Sequence, residues 1–426
     1  MNKLFTASFA LAFACGSHAA VAGAKLKPVR SLCVEQSCRD GSKPWSAPVR
    51  DASGDYYVAT AYGGTAQDEG AIYKMHYDGA KWVYSAVHRF CFKSGCPDGG
   101  RPRGQLVIDT AGNIYGMAGE GGANGKGVVF EIMPNGSDWT YKILHTFCYR
   151  TGCPDGERPV YSMLTYQGQA SGALYDGTSP LYGVTVNGGS QGLGTVIALK
   201  QTAGQWQERV IHDFCSRTLC ADGNEPNGAL TVDASGNIFG TTTVGGAYNH
   251  GVVFEMTRTT KWKYTVLHSF CGDGGFCPDG DSAMSQLVLD GNGGLIGTTY
   301  FGGAHGKGSV FRVVPNGAGS TLTTLYSFCA VANCTDGANP QGGVTFDKDG
   351  DLVGTTYGGG AQNVGSVFKL SGTNLTTFTS LASLGTTAVS GQYSTSPLTL
   401  DPSGVMLGTA VLGGTNDLGL IYQITP

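Results

Sequence analysis

The chain has 426 residues, of which 14% are charged, and its formal net charge at pH 7 is −4. This charge balance argues against a nucleic-acid partner, because binding to a phosphate backbone requires concentrated positive charge. Glycine occurs 69 times, more than twice as often as the roughly 7% of an average protein implies. The glycines recur at fixed spacings, which indicates a repeated structural unit and not a low-complexity chain.

Residues 1–24 have the pattern of a secretory signal peptide. Lys3 precedes an apolar run that is too short to span a bilayer, and small residues follow it. The sequence therefore predicts a secreted or periplasmic protein whose folded part begins at residue 25. An alternative is a lipoprotein signal with Cys15 as the acylated residue, although Phe13 fits that pattern poorly. The mature chain contains no segment with the length and apolarity of a transmembrane span.

Thirteen cysteines occur in the sequence, and twelve of them follow the predicted signal peptide. These twelve form six close couples, five with four intervening residues and one with five. An even number of cysteines in an exported protein predicts a disulfide framework. The couples are Cys33/Cys38, Cys91/Cys96, Cys148/Cys153, Cys215/Cys220, Cys271/Cys277 and Cys329/Cys334.

A Gly-Gly pair recurs seven times, in most cases at steps of 57 or 58 residues. One copy, residues 228–270, contains four short strand-like segments, GALTVD, NIFGTT, GVVFEM and WKYTVLHSF. Side chains alternate in the last segment as in a half-buried strand, and no stretch keeps a helical period. Seven units of four strands predict an all-β fold, a seven-bladed β-propeller that occupies residues 25–426 as one domain.

The ends of the chain predict how the ring closes. The last copy stops at GLIYQITP and lacks a fourth strand, whereas residues 25–33, KLKPVRSLC, match the fourth strand of the other copies. We therefore expect the N-terminal strand to complete the seventh blade, because each blade of a propeller buries its faces only against its neighbours.

Three segments carry a resemblance to a known family: GTTTVGGAYNHGVVF (240–254), GTTYFGGAHGKGSVF (297–311) and GTTYGGGAQNVGSVF (354–368). They resemble the glycine-rich GloVer-type repeat, named for Gloeobacter and Verrucomicrobia, of exported bacterial proteins. The resemblance extends over essentially the whole mature chain. It implies the repeat and export but no particular reaction. Some such proteins carry a C-terminal anchoring segment, and none is visible before Pro426.

The recurrence of the cysteine couples favours a structural role over a metal or redox site. A zinc site needs four nitrogen or sulfur ligands, and the histidine near each couple is replaced in two copies by Tyr326 and Arg30. We expect disulfides and hydrogen-bonding histidines, with no metal and no cofactor. The aspartate after each couple is expected to form an Asx-type turn; a ring of calcium ligands is the alternative. These residues are His88, His145, His212 and His268, with Asp40, Asp98, Asp155, Asp222, Asp279 and Asp336.

A binding site is expected where the copies differ, on the face that carries the cysteine loops and the Gly-Gly loops. Basic residues concentrate in the first cysteine loops, and arginine forks suit carboxylates. Trp45 differs in position from the other tryptophans and can stack on a sugar ring. The alternative is a solvated basic face with a packed tryptophan. The candidate ligand-binding residues are Lys43, Trp45, Lys93, Arg101, Arg103, Arg150, Arg158, Tyr161 and Arg217.

Signals for catalysis are weaker, because the sequence contains no recognisable motif that pairs a nucleophile with a base. The candidate catalytic residues are His250, His305, Glu120, Asp68 and Glu69. Two function classes stay open. The first is a binding or scaffold module for an acidic extracellular polysaccharide or another extracellular protein. The second is a carbohydrate-active enzyme, a polyuronate lyase in preference to a glycoside hydrolase.

Overall fold

The computed structural model describes residues 24–160, 163–272, 275–317, 319–387 and 390–425. These residues form an all-β, seven-bladed propeller, as the repeat predicts. The predicted signal peptide lies outside the described residues except for residue 24, and so does Cys15. Short 3₁₀ turns lie at Gln36–Cys38, Gln169–Ser171, Thr218–Cys220 and Ala332–Cys334.

The strands of each blade pair antiparallel in order from the axis outward. Blade 1 contains Val49–Arg50, Tyr56–Thr60, Ala71–Tyr77 and Trp82–Arg89. Blade 2 contains Val107–Ile108, Ile114–Ala118, Val128–Asn135 and Asp138–Thr146. Blade 3 contains Leu181–Thr185, Thr195–Thr202 and Gln205–Asp213, and its innermost strand is reduced to a bridge between Thr165 and Tyr182. Blade 4 contains Thr231–Val232, Ile238–Thr242, Val252–Arg258 and Trp262–Ser269.

Blades 5 and 7 carry small additions to this plan, whereas blade 6 follows it. Blade 5 contains Val288–Leu289, Leu295–Phe301, Ser309–Pro315 and Ser320–Ser327, with Asp281–Ala283 also paired to its second strand. Blade 6 contains Val344–Phe346, Leu352–Thr356, Ser366–Ser371 and Thr377–Ser383. Blade 7 contains Thr399–Leu400, Met406–Ala410, Leu420–Thr425 and Lys25–Ser31, beside the pair Gly391–Gln392 and Leu412–Gly413.

The N-terminal strand closes the ring, as predicted. Lys25–Ser31 pairs antiparallel with Leu420–Thr425 and forms the fourth strand of blade 7. The first and last described strands of the chain therefore share one sheet, and the backbone groups of Leu420–Thr425 are not left as an open edge.

The hydrophobic core lies between neighbouring blades, and the repeated glycines make room for it. Phe214 from the end of blade 3 packs edge-to-face on Phe254 of blade 4, with ring centroids 5.5 Å apart, and both are fully buried. Phe254 in turn lies over Gly240, where a Cβ atom would come within 2.5 Å of the ring. Burying a phenylalanine side chain contributes about 2 to 3 kcal/mol, so the glycine of the second strand is a packing requirement.

A backbone hydrogen bond joins each blade to the next at the entrance of its innermost strand. The donor residue has a left-handed backbone in every blade, although it is never glycine. Its N–H donates to a carbonyl that precedes the third strand of the preceding blade. The seven pairs are Lys43 to Leu418, Arg101 to Glu69, Arg158 to Lys126, Glu225 to Leu193, Ser282 to His250, Asn339 to Lys307 and Tyr393 to Val364.

The six cysteine couples form disulfides. Each disulfide loop contacts the Gly-Gly loop of the following blade, as where the N–H of Gly64 donates to the carbonyl of Cys38 at 2.9 Å and that of Gly122 to Cys96 at 2.8 Å. The two kinds of loop therefore lie on one face, as predicted. Disulfides also indicate an oxidising, extracellular type of compartment.

The aspartate after each couple does not act as predicted. Its carboxylate reaches back over the disulfide loop, whereas an Asx-type turn would bond forward. Asp98 accepts a hydrogen bond from the N–H of Cys91 at 3.0 Å and lies 3.0 Å from Nε2 of His88. His145, His212 and His268 make the same contact with their aspartates, whereas Tyr326 and Arg30 replace the histidine in the other two loops. The recurrent histidine is thus a hydrogen-bonding residue of an outer strand, as expected.

Candidate functional site

Arg101 joins two carboxylates from neighbouring blades. Its Nη1 donates to Oε1 of Glu120 at 2.9 Å, and its Nε lies 3.4 Å from Oε2 of Glu69. The backbone of Arg101 is left-handed and bonded to the carbonyl of Glu69, which aims the side chain at the loop of blade 1. The structure therefore brings together three of the residues that the sequence singled out.

Tyr62 lies at the centre of the positive charge. The cationic groups of Lys43, Arg101 and Arg103 lie 5.3, 5.2 and 5.8 Å from the centroid of its ring. Nη2 of Arg103 also donates to the Tyr62 hydroxyl at 3.1 Å, and the guanidinium carbon lies 5.6 Å from the Trp45 ring. We call Lys43, Trp45, Tyr62, Arg101 and Arg103, with Glu69 and Glu120, the Tyr62 cluster.

The cluster carries three cationic side chains against two carboxylates, so one positive charge is in excess. Burial raises the pKa of Glu69; Arg101 opposes this shift and Glu120 adds to it. Burial would lower the pKa of Arg101, but Glu69 and Glu120 raise it above its usual value, so the guanidinium stays charged. Arg101 is thus paired with both carboxylates, and the Tyr62 cluster as a whole carries one excess positive charge.

A cavity of about 310 Å³ adjoins the cluster at the mouth of the central axis. All seven blades contribute to it, because its wall consists mainly of residues at the entrances of the innermost strands. Trp45 connects this cavity to the Tyr62 cluster. The other side chains are chiefly amides and aromatic or small residues: Gln105, Met163, Asn227, Met284, Gln286, Tyr300, Gln341, Tyr357 and Thr395. Amide and aromatic side chains around one cavity are suited to hydroxyl-rich ligands.

The other predicted basic residues lie elsewhere. Lys93 lies in a disulfide loop beside Ile143 on the outer strand of blade 2. Arg217 bends back to donate to the carbonyl of Tyr264 at 3.1 Å, and the guanidinium of Arg150 lies 5.1 Å from its neighbour Tyr149. Arg158 is exposed at the position equivalent to Lys43 and Arg101, and Tyr161 lies outside the described residues. The basic sector that the sequence indicates is therefore divided between the axis and the rim.

Two of the remaining catalytic candidates, Asp68 and His250, have structural contacts. The carboxylate of Asp68 accepts a hydrogen bond from the N–H of Gly63 at 2.6 Å, and Asn249, Asn363 and Asp417 make the same bond in other Gly-Gly loops. Nδ1 of His250 lies 3.2 Å from Asp281. His305 is exposed in the next blade, and no ion pair or hydrogen bond joins it to His250 in the described part of the chain.

Two groups of side chains among the described residues come close enough to share an ion. They are His250 with Cys271 and Cys277, and Glu157 with Cys148 and Cys153. The cysteines of both groups are paired in disulfides, whose sulfur atoms are not the thiolate ligands that zinc requires. Across the same described ranges, none of the helical segments has the length and apolarity that crossing a bilayer demands.

Fold and site together define a disulfide-bridged β-propeller with an aromatic and cationic cluster at its axial mouth. The chain belongs to the Gloeobacter/Verrucomicrobia repeat family, whose model matches residues 25–180, 166–286 and 278–426. The comparison with curated proteins found no match.

Solved structures share the fold at low identity. A protein assigned as a 6-phosphogluconolactonase from Bacteroides uniformis is 11% identical, with a TM-score of 0.50 over 83% of this chain and 88% of that one. The GH93 α-L-arabinofuranosidase of Fusarium graminearum, in complex with arabinobiose, is 10% identical, with a TM-score of 0.46 over 93% and 97%. At 11% identity, the similarity to the first of these structures concerns the propeller architecture alone.

Proposed function

We propose that the protein is a binding module for acidic extracellular polysaccharide. One observation carries the proposal: the excess positive charge of the Tyr62 cluster adjoins, through Trp45, an axial cavity lined by amides and aromatic rings. A uronate ligand offers a carboxylate, an apolar ring face and several hydroxyl groups. The cluster and the cavity offer a matching partner for each of them.

Each contact follows from ordinary side-chain chemistry. The guanidinium of Arg103 pairs with the uronate carboxylate, and Lys43 adds a second positive charge. Trp45 packs against the apolar face of a sugar ring, while Gln105 and Asn227 exchange hydrogen bonds with hydroxyl groups. Arg101 stays bound to Glu69 and Glu120, which keeps the loops of blades 1 and 2 in register around the ligand.

A second function, a polyuronate lyase, is favoured by one contact. Arg103 donates to the hydroxyl of Tyr62 at 3.1 Å, so a tyrosine able to transfer a proton lies beside a cation able to neutralise the uronate carboxylate. Glu69 and Glu120 are less suited to hydrolysis, because both are paired with Arg101.

Calorimetric titration with oligogalacturonate, oligomannuronate and neutral cello-oligosaccharide tests the proposal. We expect heat of binding with one of the uronates, weakened at least tenfold in Arg103→Gln and in Trp45→Ala. Lys348→Gln is the matched control, because Lys348 is exposed in the turn between the first two strands of blade 6. Ultraviolet absorbance of unsaturated products, lost in Tyr62→Phe, would establish the lyase instead. No binding and no product with any of the three would overturn both functions.

A further inference from the structure

Five of the six disulfide loops hold a large apolar side chain out into solvent. Single exposed apolar residues are ordinary, but these recur at one kind of loop, and the three most exposed large apolar residues of the described chain are among them. We call the five residues the disulfide-loop crown. They are Val34, Phe92, Tyr149, Leu219 and Phe276, with 45, 69, 55, 91 and 94% of their surface exposed.

Leu219 shows that this exposure has a conformational cost. Its φ is +56°, a left-handed conformation that costs a non-glycine residue about 1 to 2 kcal/mol. Other loops place Gly95, Gly152, Ser37 or Asn333 at this position. Because 91% of Leu219 is exposed, burial within the chain does not offset that cost. An exposed apolar side chain on a strained backbone is consistent with a contact surface that buries the side chain when a partner binds.

Positive charge accompanies the crown in three consecutive loops. Lys93 follows Phe92, Arg150 follows Tyr149, and Arg217 precedes Leu219 by two positions. The aspartates of these loops are held by inward contacts, as Asp155 is with His145 at 2.9 Å. The tips of the Phe92 and Tyr149 loops therefore present apolar and cationic groups side by side, and Arg217 is exposed near the third tip while it bonds to Tyr264.

We propose that the disulfide-loop crown docks onto the surface of an anionic lipid bilayer. Aromatic and aliphatic tips enter the boundary between headgroups and acyl chains, and the adjacent cations pair with lipid phosphates. A lipid surface is favoured over a protein partner because the tips belong to different blades. A stable protein interface needs one contiguous patch of about 800 Å² on each side, whereas a bilayer plane meets separated tips together.

Co-sedimentation with phosphatidylcholine vesicles, with and without phosphatidylglycerol, tests this proposal without any glycan. The chain from residue 25 onward is expected to bind the phosphatidylglycerol vesicles. The triple variant F92S/Y149S/L219S is expected to lose at least tenfold in binding, and K93Q/R150Q/R217Q to lose the preference for anionic lipid. Phe301→Ser is the matched control, because Phe301 is 47% exposed outside the disulfide loops, and it is expected to bind as the unaltered chain does.

Equal melting temperatures establish that the variants are folded. Failure to bind phosphatidylglycerol vesicles at low salt would overturn the proposal, as would undiminished binding by the triple variant. If the chain instead self-associates in ultracentrifugation, and F92S/Y149S/L219S abolishes the association without vesicles, the crown is an interface between copies and lipid docking is contradicted.

Discussion

The N–H of Lys43 donates a hydrogen bond of 2.8 Å to the carbonyl of Leu418. This bond joins blade 1 to blade 7, 375 residues apart in the chain, and it sets the left-handed backbone from which the Lys43 side chain reaches Tyr62. Closure of the ring and assembly of the Tyr62 cluster are therefore coupled.

Deleting residues 25–31 is expected to lower the Tm far more than a change at an exposed end of the chain would. The deletion removes the fourth strand of blade 7 and leaves Leu420–Thr425 as an open edge. Thermal unfolding followed by circular dichroism measures the effect. If the deleted chain does not accumulate, Leu26→Ser with Val29→Ser tests the same packing, and Lys27→Gln on the exposed side of the strand is the control. An unchanged Tm would contradict the closure of the ring by this strand.

Replacing Gly240 by alanine is expected to destabilise the fold by about 1 to 3 kcal/mol through overpacking. The new Cβ would lie 2.5 Å from the ring of Phe254, which is fully buried and cannot move aside. Gly275→Ala is the control, since no atom of the described residues lies within 4 Å of a Cβ at that position. Urea unfolding measures both, and equal free energies of unfolding would show that the glycine is not required for packing.

The sequence predicts the propeller because the repeat period, the strand pattern and the match between the two ends of the chain can all be recognised from the order of residues alone. It does not predict Tyr62 as the centre of the cluster. The convergence of Lys43 and Arg101 depends on a left-handed backbone before the innermost strand. Residues other than glycine rarely adopt this conformation, so the residue type at these positions does not predict it. One signal in the sequence points to these positions. Tyr62 and Glu120 each precede a Gly-Gly pair in adjacent copies, and the two residues differ, as expected where a binding site interrupts the repeat.

The sequence also does not distinguish residues that lie near the propeller axis from residues that lie at its rim. Lys93 and Arg101 are eight positions apart in one loop, yet one faces an outer strand and the other faces the axial cluster. The aspartates are a similar case. Asp98 is adjacent to the glycine of a turn signal, but its carboxylate turns back because His88 and the N–H of Cys91 need a partner.

Acid is expected to weaken the fold through the loop aspartates. Burial would raise the pKa of Asp222, but the close contact with His212 and hydrogen bonds from Ser216 and the N–H of Arg217 hold it at about 2. A carboxylate with a lowered pKa stabilises the folded state fully above its unfolded value of about 3.9, and this contribution, about 2 kcal/mol, is lost as the pH falls toward 2. Asp222→Asn should unfold more easily at pH 7 and lose less stability between pH 4 and 2. Equal pH dependence of the two chains, measured by urea unfolding, would contradict this account.

Glu208 is expected to have the opposite effect. In blade 3, Glu208 occupies the position at which blades 2 and 4 have Tyr141 and Tyr264, and each of these tyrosines stacks on the histidine of the preceding blade. Burial raises the pKa of Glu208 to about 7. A raised pKa makes ionisation destabilising, so Glu208→Gln should stabilise the fold by an amount that grows as the pH rises from about 4.5 to about 7. Urea unfolding at pH 5 and pH 8 checks this. A gain that does not grow with pH would show that Glu208 ionises freely.

Removing one carboxylate from the Tyr62 cluster is expected to strengthen the binding of acidic saccharide. Glu120→Gln leaves Arg101 with one partner and increases the net positive charge of the cluster from one to two. Titration with the uronate that binds the unaltered chain should show tighter binding at low salt and less difference at high salt. Glu225→Gln, at the position equivalent to Arg101 in blade 4, is the control. Weaker binding by Glu120→Gln would mean that Arg101 must be held by both carboxylates for the ligand to bind.

A crystal structure of the chain with a bound oligouronate would show whether acidic saccharide binds at the Tyr62 cluster, as we claim. We predict the ligand's carboxylate beside Arg103 and Lys43, with one sugar ring against Trp45 and the next in the axial cavity. A saccharide bound on the opposite face, or only at the disulfide loops, would contradict the claim.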